Sequence, residues 1–276
     1  MKICNNVHQI CMDFLVTEQV KRYVYMYLIT GRDCYLIDSG VAGSEKIIEK
    51  YMEALGRNIR EIKAVFLTHA HPDHMGGAAA LQKISGCQIY ASEKEKSWIE
   101  DIDLQFRERP IPNFYTLVPE PVRIDGIVKE GDVILPEEKI SVQILETAGH
   151  SAGHVSYIFE EENVLFSGDA IPDTKDFLIF TNEGKSEESL EKMAALNGIQ
   201  YCCPAWDRVY NGEEWKKVLR QSKNYLQKLK ENVLRMDKKY GMIPFEEQVR
   251  ILSEQMGWED SVVNPLVLRS IEACRY

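Results

Sequence analysis

Seven consecutive residues, Thr68-His69-Ala70-His71-Pro72-Asp73-His74, hold three imidazoles and a carboxylate. They follow an apolar run, Ala64-Val65-Phe66-Leu67, that reads as a buried strand, and they precede Gly76-Gly77 and an alanine-rich helix start. A loop at the carboxyl end of a strand sits where an α/β layer opens a crevice to solvent. Residues two apart in extended chain point the same way, so His69 and His71 can grip one ion together. Pro72 bends the chain, and Asp73 and His74 can then face a second position close by. Such a loop can hold two divalent ions side by side, because imidazole suits zinc and iron and the carboxylate extends the range to harder ions. Of the six histidines, five lie in this stretch or in one later Gly-His loop. A plain helix start with polar surface histidines leaves that clustering unexplained.

The chain has 276 residues and a net charge of −10, long enough for one large core with an extension. An acidic balance without a basic stretch argues against nucleic-acid binding, although a local basic pocket remains compatible with it. No apolar run is long enough to span a membrane and no signal-peptide pattern stands at the N-terminus, so a cytoplasmic protein is expected. The seven cysteines contain no CxxC pair, which suits reduced thiols. Cys202-Cys203 read as core filler in a strand rather than as a redox pair.

Strands are expected from Val7 to Val16, Arg22 to Ile29 and Cys34 to Ile37, opening the chain as an antiparallel set. Tyr23, Tyr25 and Tyr27 alternate with Val24, Met26 and Leu28, so both faces of the second strand are used. Asp38 ends the third strand and is expected to bond loop amides and orient a metal ligand. Helices follow near Ser44–Leu55, to about Ile84 and over Glu93–Glu100, with a strand at Gln88–Ala91 between the last two. Residues 101–121 lack a clean period, carry several prolines and read as a long insertion, with Arg107, Arg109, Phe114 and Tyr115 as candidate substrate contacts. An ordinary surface loop is the competing reading.

A second strand-rich block covers Val122–Val128, Val133–Leu135 and Ile140–Glu146. It leads into Gly149-His150-Ser151-Ala152-Gly153-His154, where glycines let the backbone come close and aim an imidazole. His150 reads as a ligand and His154 as a residue of the wall or support. A hairpin, Val155–Phe159 and Val164–Phe166, ends in Gly168-Asp169, and two adjacent cations need a carboxylate between them. Ser186 is expected to cap a helix to about Leu196. Helices over 212–239, 245–255 and 262–274 form a tail that packs on the core or covers the site.

The succession HxHxDH, Gly-His, Gly-Asp, each at a strand end, resembles the metallo-β-lactamase superfamily over roughly residues 7–210. The resemblance implies an α+β fold, an αββα sandwich of two mixed β-sheets flanked by helices, with a helical C-terminal extension. The expected division is 1–235 for the catalytic domain and 236–276 for the extension. It also implies His69, His71 and His150 on a first metal, Asp73 and His74 on a second, and Asp169 bridging them. The cofactors would be two divalent ions, zinc foremost, with manganese or iron as alternatives. One departure stands out. The family ends its site with Pro-Gly-His, whereas this chain has Pro204-Ala205-Trp206-Asp207 and no histidine after His154. Either Asp207 replaces the missing ligand and makes the site harder, or the second metal lacks this ligand, binds weakly or is absent; in the competing reading Asp207 is a loop residue and Trp206 fills the gap.

The expected reaction is hydrolysis of a small ester, thioester or lactone, with Asp73 orienting the attacking water or taking its proton. A β-lactam substrate is not expected. Two other classes remain: a mononuclear non-haem iron oxygenase of persulfide-dioxygenase type, and a metal-binding sensor or scaffold without catalysis. The partner is a small molecule, not nucleic acid or a membrane, and a homodimer is a further expectation.

Overall fold

The computed structural model describes residues 1–174, 178–258 and 264–275. The first sheet contains β1 (Val7–Leu15), β2 (Lys21–Thr30), β3 (Cys34–Ile37), β4 (Ile62–Phe66), β5 (Gln88–Ser92) and β6 (Gly126–Val128), neighbours in space as in sequence. The first three strands pair antiparallel and the rest parallel. Parallel neighbours need a crossover. The helices of this half are α1 (Ser44–Ala54), α2 (Pro72–Met75), α3 (Ala78–Ser85), α4 (Glu93–Glu100), α5 (Ile102–Glu108) and α6 (Phe114–Leu117). The second sheet holds β7 (Val133–Glu137), β8 (Ile140–Glu146), β9 (Val155–Phe159), β10 (Val164–Gly168), β11 (Tyr201–Pro204) and β12 (Tyr210–Asn211). It is antiparallel except where β10 meets β11 across α7 (Glu183–Ala194). The chain then runs through α8 (Glu214–Tyr240), α9 (Phe245–Met256) and α10 (Pro265–Ala273).

Three apolar layers hold these elements. On β2, Val24, Met26 and Leu28 join Ile48, Met52 and Leu81 under the helices, while Tyr27 and Ile29 face the other sheet through Tyr157 and Phe166. Period-two alternation thus feeds two cores from one strand. The same alternation separates Cys202, packed under the C-terminal helices, from Cys203, packed between the sheets. The third layer covers the outer face of the second sheet with Trp215, Leu226, Val249, Val267 and Ile271. The result is the expected αββα sandwich with a helical C-terminal region.

Local differences have local causes. The aperiodic stretch 101–121 folds into α5 and α6, because the Asp101 side chain accepts from Leu104 N at 2.9 Å and caps α5. Asn182, not Ser186, caps α7: its side chain accepts from Lys185 N, while Ser186 lies inside the helix and its hydroxyl donates back to Asn182 O. Val122–Ile124 are not strand, and β6 completes the first sheet beside β5 instead of joining the later block. The expected division at 235/236 falls inside α8, which is continuous and shares its apolar layer with α9 and α10. The start of the last expected helix, Val262 and Val263, lies outside the described residues.

Candidate metal centre

The site forms where strand ends of both sheets meet. The chain leaves β4 through Thr68 and His69, and His71 is the N-cap of α2, with Pro72 at its first position. Proline suits that position because its missing N–H would have no helical partner there. His71 Nδ1 lies 2.9 Å from His69 Nε2 and 2.8 Å from His150 Nε2. All three rings belong to side chains sealed or nearly sealed from solvent.

The outer nitrogens fix the tautomers. His150 Nδ1 donates to the Ile179 carbonyl at 2.7 Å, which leaves Nε2 as a lone pair. The Thr68 hydroxyl donates to the Asp38 carboxylate and so accepts from His69 Nδ1 at 3.0 Å, leaving His69 Nε2 as a second lone pair. His71 Nδ1 can donate to one of these, never both. A cation at their common focus satisfies all three nitrogens, which is the arrangement of a three-histidine metal position.

A second focus adjoins the first. His69, His74 and Asp169 also offer ligand atoms within 4.8 Å of one another. His74 Nδ1 donates to Asp38 Oδ2 at 2.8 Å, and its Nε2 is a buried nitrogen without a hydrogen-bond partner. Asp169 spans the two groups: Oδ1 lies 3.3 Å from His74 Nε2 and Oδ2 lies 3.3 Å from His150 Nε2. Asp73 Oδ2 is 3.8 Å from His74 Nε2. Among the described residues, these donors fit divalent metal at both positions: three imidazoles that burial keeps neutral, one orphaned buried nitrogen in a place that attracts positive charge, and a carboxylate between.

The charges agree. Burial pushes His69 and His71 well below the ordinary histidine range, and it lowers His150 to about 4. Burial would lower His74 too, but Asp169, Asp38 and Asp73 outweigh it and raise this ring well above the usual value. The second focus is thus a place that attracts positive charge. Burial pushes the Asp73 carboxyl up. At Asp169 burial acts the same way, but His74 and then His150 outweigh it and hold the carboxyl low.

Supports converge on these ligands from several elements. Asp38 has a left-handed backbone, φ 59°, which turns its carboxylate onto Thr68 N at 2.8 Å and onto His74. His154 does not join the cluster of lone pairs. Its Nε2 accepts from Asp169 N at 3.1 Å and its Nδ1 faces Thr147, so it holds the Asp169 backbone, in keeping with a supporting role. Gly168 has φ +49°, and a Cβ there would stand 2.8 Å from both His154 Nε2 and Thr68 Oγ1. Gly149 has φ +138°, and its missing Cβ makes room for Ser186 of α7.

Two further supports carry no signal in the local sequence pattern. Glu95 of α4 accepts from Ala70 N at 3.0 Å, Ser151 Oγ at 2.7 Å and Gly153 N at 2.7 Å, tying the two histidine loops together. Gln105 of α5 donates to the Ala70 carbonyl. Of the candidate substrate contacts, Arg107 is exposed, Phe114 is buried in the first core, and Tyr115 is exposed with its hydroxyl on Asp103. Arg109 alone reaches the site.

Residues 20–198 match the family described as the Metallo-beta-lactamase superfamily. The chain belongs to that superfamily. Relatives include hydroxyacylglutathione hydrolase GloC of Haemophilus influenzae, 32% identical over 51% of this chain and 62% of that protein. A hydroxyacylglutathione hydrolase of Rhodopseudomonas palustris is 29% identical over 52% of this chain and 49% of its own length. The chain therefore spans about half to three-fifths of the length of these two relatives. A metallo-beta-lactamase family protein from Thermus thermophilus shares the fold with a TM-score of 0.76 at 18% identity, over 98% of this chain and 91% of that one.

The superfamily's closing histidine has no counterpart here, and the structure shows what stands at that strand end. After β11, Trp206 Nε1 donates to Asp169 Oδ1 at 2.6 Å. Asp207, with φ 60°, turns its carboxylate to the Tyr210 hydroxyl at 2.7 Å and its backbone to Tyr23 and Tyr25. It is in neither ligand group. Of the two readings of this stretch, the geometry favours the one in which Trp206 fills the gap: its indole bonds Asp169, while three tyrosine hydroxyls hold the Asp207 turn.

Proposed function

We propose that the chain is a metal-dependent hydrolase of small thioesters, with esters and lactones as secondary substrates. One observation carries the reading: His71 Nδ1 faces two imidazole lone pairs at 2.9 and 2.8 Å, with the Asp169 carboxylate leading from that focus to His74. Zinc is the metal that this donor set suits first; held by His69, His71 and His150, it would supply an activated water and polarisation of a carbonyl.

The chain's own residues do the rest. His69, His71 and His150 enter neutral and need no deprotonation to serve as ligands. Asp73 sits beside His74 with its carboxyl pushed up by burial, which suits a group that orients a water and accepts its proton. The ring of Trp98 lies 6.5 Å from that of His71 and forms an apolar wall. Thioesters come first because the relatives are hydroxyacylglutathione hydrolases.

The test is a panel of a hydroxyacylglutathione, a p-nitrophenyl ester and a lactone, given to zinc-loaded protein and to His71→Ala. Thioester hydrolysis in the wild type, lost by at least a hundredfold in the variant, is the expected result. A fully metal-loaded wild type that cleaves none of the three overturns it.

A further inference from the structure

Arg109 closes α5 and is 8% exposed. Four residues earlier on the same helix face, Gln105 bonds the Ala70 carbonyl between His69 and His71. Arg109 is therefore turned toward the histidine loop. Its charge bears on His71, His150, Asp73 and Asp169.

The guanidinium nonetheless makes no hydrogen bond and no ion pair within 4.0 Å among the described residues. Its nitrogens are not among the sealed polar atoms that lack a partner, so they keep some contact with solvent. Of the nearby carboxylates, Asp73 is the first to favour the Arg109 charge but makes no ion pair with it, and three others are engaged elsewhere. Glu95 is held by three donors, Glu108 takes the Trp98 indole N–H, and Asp169 takes that of Trp206. Arg269, on α10, adds a second positive charge within range of Arg109. A guanidinium this buried is costly to leave without an anion. The chain as a whole is acidic, so an anion approaching the site needs a local cation to receive it.

We propose that Arg109 is the specificity residue of the site: it receives a carboxylate of the substrate and selects acyl thioesters and esters with a second, negatively charged end. This rests on the hydrolase reading above. The planar fork of arginine matches a carboxylate through two parallel hydrogen bonds, which lysine cannot reproduce.

The experiment compares the succinyl and butyryl thioesters of N-acetylcysteamine, equal in length and differing by one carboxylate. Zinc-loaded wild type, Arg109→Lys and Arg109→Gln are used, each with its zinc content measured. The succinyl-to-butyryl ratio of kcat/KM is expected to fall at least tenfold in Arg109→Gln, through KM, with Arg109→Lys between the two. A ratio unchanged in Arg109→Gln overturns the proposal. A second arm stands without catalysis: thermal unfolding of the zinc-loaded proteins with succinate or acetate. A larger shift from succinate in the wild type, absent in Arg109→Gln, supports the anchor, and equal shifts in both proteins overturn it. Should neither thioester be cleaved, the hydrolase reading fails and the second arm alone decides on Arg109.

Discussion

Ser270 on the last helix grips Phe180, its hydroxyl accepting from Phe180 N at 3.0 Å and reaching Phe180 O at 3.1 Å. The residue before Phe180 is Ile179, whose carbonyl fixes the tautomer of His150. The C-terminal helix thus reaches a candidate metal ligand through one loop. Ser270→Ala is expected to fold and to bind zinc about tenfold more weakly, as measured by competition with a chelator, since supports of this kind tune ligand orientation. Unchanged zinc affinity would show that the loop holds His150 without α10.

Glu95 is the knot between the two histidine loops. Glu95→Gln replaces a carboxylate that accepts three bonds with an amide that presents its own N–H groups to the same donors. A loss of about 2 kcal/mol in stability is expected, because buried donors are left unpaired. Urea unfolding of the metal-free protein measures it, and a loss below about half a kcal/mol would mean that the loops are held by other contacts.

Metal content separates Asp207 from Asp169. Asp207→Ala is expected to carry as much metal per chain as the wild type, because its carboxylate bonds Tyr210. Asp169→Ala is expected to carry less. Elemental analysis of protein purified without added metal reads both, and a deficit in Asp207→Ala would put Asp207 among the ligands.

Acid should destabilise the metal-free protein well above the carboxylate range. His69, His71, His150 and His154 are all lowered by burial in the folded state, His150 to about 4. Unfolded, each binds a proton near pH 6.5. A group lowered on folding gives stability that is complete above the unfolded value and drains away as pH falls toward the folded value. For His150 alone the loss at pH 5 is about 2 kcal/mol. His74 is raised, so its contribution grows as pH falls toward about 6.5 and is complete below it; it opposes the loss above about pH 6.5 and leaves the slope below that to the other rings. The urea midpoint of chelated protein is therefore expected to fall between about pH 6.5 and pH 5, and a flat profile there contradicts the buried neutral state of these rings.

The candidate ligands were legible because their chemistry is crowded into short motifs at strand ends. Two-residue spacing put His69 and His71 on one side, and Pro72 set Asp73 and His74 apart. The supports were not legible. Glu95 and Ser270 act across gaps in the chain that only the packing of α4 and α10 closes, and each looks like an ordinary helix residue in its own segment. The helices α5 and α6 escaped because short capped helices leave no period to read. Cys202 and Cys203 show the opposite case: they read as core filler in a strand, and both are buried, one in each of two cores.

The indole of Trp206 stands against the carboxylate that links both metal positions, 2.6 Å away. Indole emission responds to the charge and hydrogen bonding at its N–H. The centre therefore carries its own optical probe, one of four tryptophans in the chain. Filling the site can be followed by fluorescence without label or substrate, and Trp206→Phe identifies which part of the signal belongs to it.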